Sequence, residues 1–321
     1  WQGFWRREQI AMSNEALTSE ESLAANGKSF HWARRFLGAE MGNSAARLYA
    51  FCRVLDDMAD GDIEDGPRRL AVIRSQLDTS DTPSIQGSDP ALAGFGPLMA
   101  EKNFSPDVLI ALIDGLLDDQ REEVALQSEA DLLRYAYRVA GTVGLLMCDV
   151  LACHDEQARV YAIDLGIAMQ LTNIARDVLE DAVMNRRYIP VDWVDGARPA
   201  DIKRAAGAPG SAACQQITDA VGQLLDLAEK FYDSGARGYC FLPFRAHVSI
   251  AVAARVYRQI GVQLRASGLA WYSGRQVTSK ITKLRCSVRA MGSLKSRITA
   301  RPEGEHDAAL HTSLRGLPYV R

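Results

Sequence analysis

The sequence predicts an all-α fold, a single bundle of about ten helices. Two patterns favour this class: apolar residues recur at three- and four-residue spacings through most of the chain, and strand-like alternation is sparse. In addition, 47% of the 321 residues are apolar, enough for one sizeable core. No stretch has the composition of a linker between domains.

Residues that break helical structure bound each predicted helix. The clearest apolar pattern runs from Ser44 to Asp60 and stops at Gly61. The segment from Thr79 to Gly96 is rich in Ser, Pro and Gly, and it predicts a surface loop. Further breakers stand at 103–106, 190, 207–210 and 243. In chain order, the predicted helices cover residues 20–37, 44–60, 105–123, 129–152, 155–182, 211–236, 242–267 and 277–293.

The charge and the cysteine content exclude several classes of protein. The chain has 37 Lys plus Arg and 40 Asp plus Glu, a net charge of −3 that is unlike disordered chains and nucleic-acid-binding domains. Its six cysteines form no CxxC pair, so we expect reduced thiols rather than a zinc site or disulfides. We expect a cytoplasmic protein, because no apolar run reaches the ~18–20 residues of a membrane span and no signal peptide is evident.

Two pairs of aspartates point to a chemistry. Asp56 and Asp60 lie four residues apart, so both carboxylates project from one helix face. Asp177 and Asp181 repeat this spacing on a later helix. One such pair alone is typical of a solvated face, but here apolar residues are interleaved with each pair and an arginine is close by. If the pairs face each other, they would hold Mg²⁺ and, with arginine, bind and ionise a diphosphate ester.

Five segments extend this pattern over most of the chain. They are Gly27-Lys-Ser-Phe30, Tyr49 to Asp60, Tyr135 to Gly144, Gln170 to Pro190 and Arg275 to Lys280. Their order and content resemble the squalene/phytoene synthases, which are head-to-head prenyltransferases, over about residues 26–295. The run Leu171-Thr-Asn-Ile-Ala-Arg-Asp and the ending Arg187-Tyr-Ile-Pro are most similar to the bacterial phytoene synthases. The resemblance implies the isoprenoid synthase fold, a helical bundle around a central cavity with the two aspartate motifs facing each other at its mouth.

The resemblance also implies a role for each matching residue. Tyr135 would lie close to the reacting carbons and act in catalysis together with the four motif aspartates. The implied metal ligands are Asp56, Asp60, Asn173, Asp177 and Asp181. The residues implied to contact the substrate diphosphates are Lys28, Ser29, Arg53, Gln170, Asn173, Arg176, Arg186, Tyr188, Tyr257 and Arg275.

The implied reaction joins two molecules of geranylgeranyl diphosphate, through prephytoene diphosphate, into phytoene for carotenoid biosynthesis. Mg²⁺ is the implied cofactor, with Mn²⁺ as a substitute, and NADPH is needed only if the product is squalene. The alternative is a squalene, dehydrosqualene or presqualene diphosphate synthase that uses farnesyl diphosphate. A non-catalytic family member would have lost motif aspartates, and all four are present. A downstream desaturase is an expected partner, and nucleic acid is not.

Other patterns have plainer interpretations. Gly141 and Gly144 fit close helix packing and room for a polyprenyl tail equally well. We interpret Asp118 and Asp119 as a solvated helix end. A basic run predicts a surface helix face, with peripheral contact to an anionic membrane as the alternative. This run consists of Lys280, Lys283, Arg285 and Arg289. The expected division is an extension over 1–25, the synthase domain over 26–295 and a mobile tail over 296–321.

Overall fold

The computed structural model describes residues 32–79, 89–276, 278–297 and 305–320, and nearly all of their regular structure is helical. The α-helices, in chain order, are α1 (Ala39–Ala59), α2 (Gly66–Thr79), α3 (Gly96–Lys102), α4 (Pro106–Asp118), α5 (Glu129–Ala136), α6 (Thr142–Val150), α7 (Gln157–Val183), α8 (Pro199–Ala206), α9 (Ala212–Arg237), α10 (Phe244–Ala266) and α11 (Lys280–Ala290). A π-helical segment, Tyr137–Gly141, joins α5 to α6, so these two run as one interrupted helix. The all-α prediction is confirmed.

Short 3₁₀ segments and one strand pair complete the described chain. The 3₁₀ segments are Pro90–Leu92, Val191–Trp193, Gly238–Phe241, Met291–Arg297 and Ala308–Leu314. The strands β1 (Val124–Ala125) and β2 (Arg186–Arg187) pair in parallel, with Val124 opposite Arg186. This pair is small, but it fixes the chain that follows α7 beside the chain that follows α4.

Local sequence signals explain where several helices begin. Ser128 and Asp131 form a reciprocal capping box at the start of α5, each side chain accepting the other's backbone N–H. Ser211 and Ser279 cap α9 and α11 by accepting a backbone N–H from the first turn. The start of α4 is set by Pro106 in the first turn.

The long helix α7 is the centre of the bundle. It packs against α9 and α10 on one side and against α5, the π segment, α6 and α8 on the others. Its buried residues occur on all faces along most of its length, as expected for a helix surrounded by other helices. Because α7 runs through the core, residues at its two ends belong to two separate regions of the molecule.

Gly144 allows α6 and α7 to approach closely. A Cβ atom at this position would lie 2.2 Å from the backbone oxygen of Ala162. The close-packing interpretation of Gly144 is therefore correct, and the residue also lines the internal cavity described below. At Gly141 an added Cβ would meet side chains at 3.2 Å or more, so the constraint there is weaker.

The structure differs from two predictions about the carboxy-terminal part of the chain. Residues 305–320 pack against the bundle rather than forming a mobile tail, and His311 and Leu314 are buried. On α11 the basic run is not a uniform surface face, because Lys283 is buried. The exposed part of α11 carries the other three basic residues, Lys280, Arg285 and Arg289, together with apolar side chains at Ile281, Leu284 and Val288.

Other boundaries are close to the predicted ones. The helix predicted over 105–123 ends at Asp118, and the helices α2, α3 and α8 are additions to the predicted list. Of the helix predicted over 20–37, residues 20–31 lie outside the described residues, as do the predicted site residues Lys28 and Ser29. Among the described residues, no helix is both long and apolar enough to cross a membrane.

We expect Gly144→Ala to destabilise the protein, although alanine favours the helical state. The added methyl group has to push the backbones of α6 and α7 apart, and such overpacking costs about 1–3 kcal/mol. Urea unfolding measures this change. Gly94→Ala is the matched control, because nothing lies within 4 Å of a Cβ there. Equal stability of the two variants would contradict the packing role of Gly144.

Candidate active site

The two aspartate motifs lie in one buried cluster of charged groups. Asp56 is in the last turn of α1 and Asp60 directly follows this helix, whereas Asp177 and Asp181 are on the last turns of α7. Arg186 on β2 connects the two halves: its guanidinium lies 3.2 Å from Asp60 Oδ1 and is also among the charges that act on Asp181. The pair β1–β2 holds Arg186 in this position.

In the first motif, the carboxylate of Asp56 is almost completely buried. Arg53 Nη1 lies 3.5 Å from Asp56 Oδ2, and Arg53 also forms an ion pair with Asp57. Within the described residues, neither oxygen of Asp56 accepts a hydrogen bond. Burial, reinforced by the charge of Asp60, raises the pKa of Asp56 to about 7. Burial also raises the pKa of Asp57, which the sequence did not single out, to about 6.

In the second motif, the backbone of Asp177 departs from helical geometry, with φ −106° and ψ 16°. This kink lies where its carboxylate accepts two hydrogen bonds from Arg176, one of them 2.7 Å long. Arg275 Nε lies 3.4 Å from the same carboxylate. Burial would raise the pKa of Asp177, but the two arginines hold it below its ordinary value. Burial and the charge of Asp177 raise the pKa of Asp181 well above its ordinary value.

Gln170 lies two turns and Asn173 one turn before Asp177 on α7, and both are buried. Asn173 Nδ2 donates to Gln170 Oε1 at 3.4 Å, while Asn173 Oδ1 accepts no hydrogen bond from the described part of the chain. One carboxylate oxygen of Glu180 likewise accepts no hydrogen bond from the described part of the chain, and the sequence did not single out this residue.

Buried oxygen atoms without hydrogen-bond donors are of the kind that a hard divalent cation takes as ligands. Asp56 and Asn173 supply three such atoms, and Asp181 supplies a carboxylate whose ionised form is disfavoured in the metal-free protein. Mg²⁺ prefers oxygen ligands of this kind and would relieve their mutual repulsion. The donor set therefore fits the cation that the resemblance implies.

Asp119 corrects the interpretation of residues 118–119 as a solvated helix end. Its side chain is 2% exposed and accepts hydrogen bonds from Tyr135 Oη and Tyr188 Oη, each 2.9 Å long. Its backbone oxygen accepts a bond from Arg186. Asp118 is half-exposed and pairs with Arg121 and Arg138.

A signal for Asp119 was present in the sequence. Leu109, Leu112 and Leu116 mark the buried face of α4 at spacings of three and four, and position 119 continues that series. Burial raises the pKa of Asp119 to about 6, although Arg186 and the two tyrosines act in the opposite direction.

Tyr135 is a buried hydrogen-bond donor. Its ring stacks on that of Tyr188, with centroids 4.6 Å apart, and its hydroxyl is held by Asp119. Burial and the nearby Asp119 raise the pKa of Tyr135 well above its ordinary value, so the phenol stays protonated. Such a group can donate a hydrogen bond, but it is both a poor acid and a poor base near neutral pH.

An apolar cavity opens next to this cluster. Tyr257 on α10 lines this cavity, and the charges of Arg176, Arg275 and Asp177 act on its pKa. Burial raises the pKa of Tyr257. From there the cavity continues along α7 past Met169 to Tyr161 and Ala158, and its walls are almost entirely apolar. A polar cluster beside a long apolar cavity suits a ligand with an anionic head and an apolar tail.

Comparison with known proteins gives the same assignment as the motifs. The family model for squalene/phytoene synthase matches residues 23–285. A phytoene synthase of Pseudescherichia vulneris is 34% identical over 88% of this chain and 94% of its own length. A 15-cis-phytoene synthase of a Paracoccus species is 36% identical over 85% of this chain and 90% of its own. Among solved structures, a dehydrosqualene synthase in complex with a ligand superposes with a TM-score of 0.74, at 27% identity over 87% of this chain and 95% of that one.

We expect the metal-free protein to lose stability as the pH rises from about 4 to 7. The pKa values of Asp56 (about 7) and Asp119 (about 6) lie above that of an unfolded aspartate, so the folded state holds more protons than the unfolded state in this range. Each such group lowers the free energy of unfolding by up to about 1.4 kcal/mol per pH unit. Thermal unfolding in the presence of a chelator measures the effect.

Asp56→Asn should flatten this pH dependence, because an amide does not titrate. The control is Asp195→Asn, which changes an exposed aspartate. If the wild-type protein, Asp56→Asn and Asp195→Asn all showed the same pH dependence, the raised pKa of Asp56 would be wrong.

Proposed function

The chain belongs to the squalene/phytoene synthase family and is an enzyme of the prenyltransferase type, and we propose that it is a phytoene synthase. It would condense two molecules of geranylgeranyl diphosphate, through prephytoene diphosphate, to phytoene in carotenoid biosynthesis. The observation that carries this proposal is the buried cluster of carboxylates and arginines beside a long apolar cavity. The relatives named phytoene synthase support this choice of substrate and product.

The arginines would bind the diphosphate heads. Arg53, Arg176 and Arg275 lie beside the motif aspartates, and Arg186 spans the two halves of the site. A guanidinium forms bidentate contacts with phosphate oxygens and remains charged when buried. Tyr188 and Tyr257 contribute neutral hydroxyls at the same site.

The residues that would hold Mg²⁺, or Mn²⁺ in its place, are Asp56, Asp60, Asn173, Asp177 and Asp181. When bound, the cation neutralises the charge that develops on the departing diphosphate. The chain's own residues then govern what happens to the carbon skeleton. The apolar walls exclude water, which would otherwise capture an allylic cation as an alcohol.

Tyr135 would act as a donor and as a steering group. Departure of one diphosphate leaves an allylic cation, which the double bond of the second substrate attacks, and loss of a proton closes the cyclopropane ring. The protonated phenol of Tyr135 is unsuited to accept that proton, so the departing diphosphate takes it. With Asp119 behind it, Tyr135 keeps a fixed orientation toward the reacting carbons.

Farnesyl diphosphate is the second candidate substrate. The similarity to a dehydrosqualene synthase structure favours it specifically, because that structure covers nearly the whole fold. The two candidates differ in the length of the tail that the cavity accepts. NADPH would be consumed only if the product were squalene.

Product analysis decides between these candidates. The purified protein is incubated with Mg²⁺ and either geranylgeranyl or farnesyl diphosphate, with and without NADPH. We expect phytoene from the C20 substrate, with no effect of NADPH. A C30 product alone would overturn the phytoene assignment, and no hydrocarbon from either substrate would overturn the enzymatic one.

We expect Asp56→Asn to lower the turnover of geranylgeranyl diphosphate by at least about a hundredfold, because electrostatic stabilisation of the leaving group is lost. Steady-state kinetics with purified, folded protein test this. The matched control Asp195→Asn should keep wild-type turnover. Near-full activity of the Asp56 variant would show that the metal assignment at the first motif is wrong.

The exposed face of α11 suits contact with a membrane that supplies the lipid substrate. Ile281, Leu284 and Val288 are all more than half exposed, and Arg285 and Arg289 lie beside them. Exposed apolar groups flanked by cations bind interfaces that contain anionic lipids. A peripheral position of this kind would also bring the product to a downstream desaturase.

We expect the double variant Ile281→Glu/Leu284→Glu to bind vesicles of phosphatidylglycerol and phosphatidylcholine at least about tenfold more weakly than the wild type. Each apolar side chain that leaves water contributes about 1.5–3 kcal/mol. Vesicle sedimentation measures the affinity, and Val72→Glu, a change at an exposed residue of α2, is the control. Unchanged binding of the double variant would exclude α11 as the contact surface.

A further inference from the structure

The ring of Tyr161 lines the part of the apolar cavity that lies furthest along α7 from the aspartate motif, next to Ala158. Tyr161 is in the second turn of α7 and Asp177 lies sixteen residues further along the same helix, a distance of about 24 Å along its axis. Tyr161 is 3% exposed and lines the cavity. A tail that enters from the charged cluster would therefore reach this ring only after about 24 Å along α7.

Three side chains surround the ring of Tyr161. Phe241 stacks on it with centroids 6.0 Å apart, Arg237 lies over it at 5.7 Å, and His306 meets it edge-on at 5.4 Å. Only glycine fits at position 238 beside Tyr161, because a Cβ there would lie 2.4 Å from the Cβ of Tyr161. The ring therefore has little freedom to move aside.

His306 belongs to the segment 305–320, which we call the strap. The strap is anchored by Asp164 on α7, one turn after Tyr161. His306 Nε2 lies 2.8 Å from Asp164 Oδ2, His311 Nε2 lies 2.7 Å from Oδ1, and Ser234 Oγ donates to Oδ2 at 2.6 Å. These are hydrogen-bond lengths, so all three side chains hydrogen-bond to one buried carboxylate.

The strap is also fixed to the other side of the cavity. Tyr137 Oη, in the π segment, donates to the backbone oxygen of Pro318, and Arg134 on α5 donates to the backbone oxygens of Ser313 and Arg315. Arg159 on α7 lies over the ring of Tyr319 at 4.6 Å. The strap thus spans α5, the π segment, α7 and α9 behind the cavity.

We propose that Tyr161 determines the longest prenyl tail that the enzyme accepts, and that the strap, through His306 on Asp164, is the positioning element that keeps Tyr161 in place. This proposal rests on the proposed function of the cavity. It assigns substrate-length selection to a contact between α7 and the carboxy-terminal segment, far from the aspartate motifs.

The test compares kcat/KM for C25 geranylfarnesyl diphosphate with that for C20 geranylgeranyl diphosphate. We expect Tyr161→Ala to raise the C25 to C20 ratio at least about tenfold, since an added pocket volume of several carbons relieves a steric exclusion. His306→Ala should raise the ratio by about threefold or more. Tyr161→Phe keeps the ring and should leave the ratio unchanged, as should His154→Ala, which alters an exposed histidine.

If the strap had only a structural role, His306→Ala would lower the stability of the protein and would lower the turnover of both substrates by the same factor. Ratios within twofold of the wild type for both Tyr161→Ala and His306→Ala would therefore overturn the proposal. If Tyr161→Ala does not fold, Tyr161→Leu and His306→Ala carry the test by the same criterion.

Failure of the proposed function is distinguishable from failure of this inference. If the wild type used only farnesyl diphosphate, the ratio of C20 to C15 would replace the ratio of C25 to C20, with the same expectations for each variant. If the wild type turned over neither substrate, thermal stabilisation by C15, C20 and C25 diphosphates would report the length that the cavity accepts. In that assay, a Tyr161→Ala variant with the wild-type length preference would overturn the proposal.

Discussion

The burial of several like charges at one end of an apolar bundle is the constraint on which the rest of the structure depends. Asp56, Asp119 and Asp181 are all buried, and burial makes the ionised form of each unfavourable. Only an arrangement that places cations among them keeps such a cluster folded. Arg186, held by the small β1–β2 pair, and Arg176, beside the kink of α7, provide part of that compensation. The remaining repulsion is what the proposed divalent cation would relieve.

The long helix α7 connects this end of the molecule to the part of the cavity near Tyr161. Its last turns carry the second aspartate motif, and its first turns carry Tyr161 and Asp164. Since one helix bears both and its kink lies only at Asp177, the distance from Tyr161 to the start of the second motif is set by the helical rise. Close contact at Gly144 keeps α6 against α7 along the cavity, so its width is constrained as well as its length.

The sequence predicted the helices and the four motif aspartates because both are encoded by local spacing. The buried faces of α1 and α7 follow from apolar periodicity, and the i,i+4 pairs follow from the pitch of the helix. Asp119 was missed because its burial depends on Tyr135 and Tyr188, which reach it from elsewhere in the chain. The strap was missed for the same reason: residues 305–320 have no periodicity of their own, and the contacts to Asp164 bridge more than 140 residues.

The surroundings of two buried aspartates of α7 shift their pKa values in opposite directions. Asp164 is 0% exposed, and burial alone would raise its pKa, but hydrogen bonds from His306, His311 and Ser234 hold the pKa below its ordinary value. Asp181 is also buried, lies beside another carboxylate, and has a raised pKa. A bound cation adds little stabilisation to a carboxylate that already accepts hydrogen bonds from its own chain. It adds much more to a carboxylate without such donors. The same residue type on one helix therefore fastens a segment at one end and, in the proposed function, would hold a metal ion at the other.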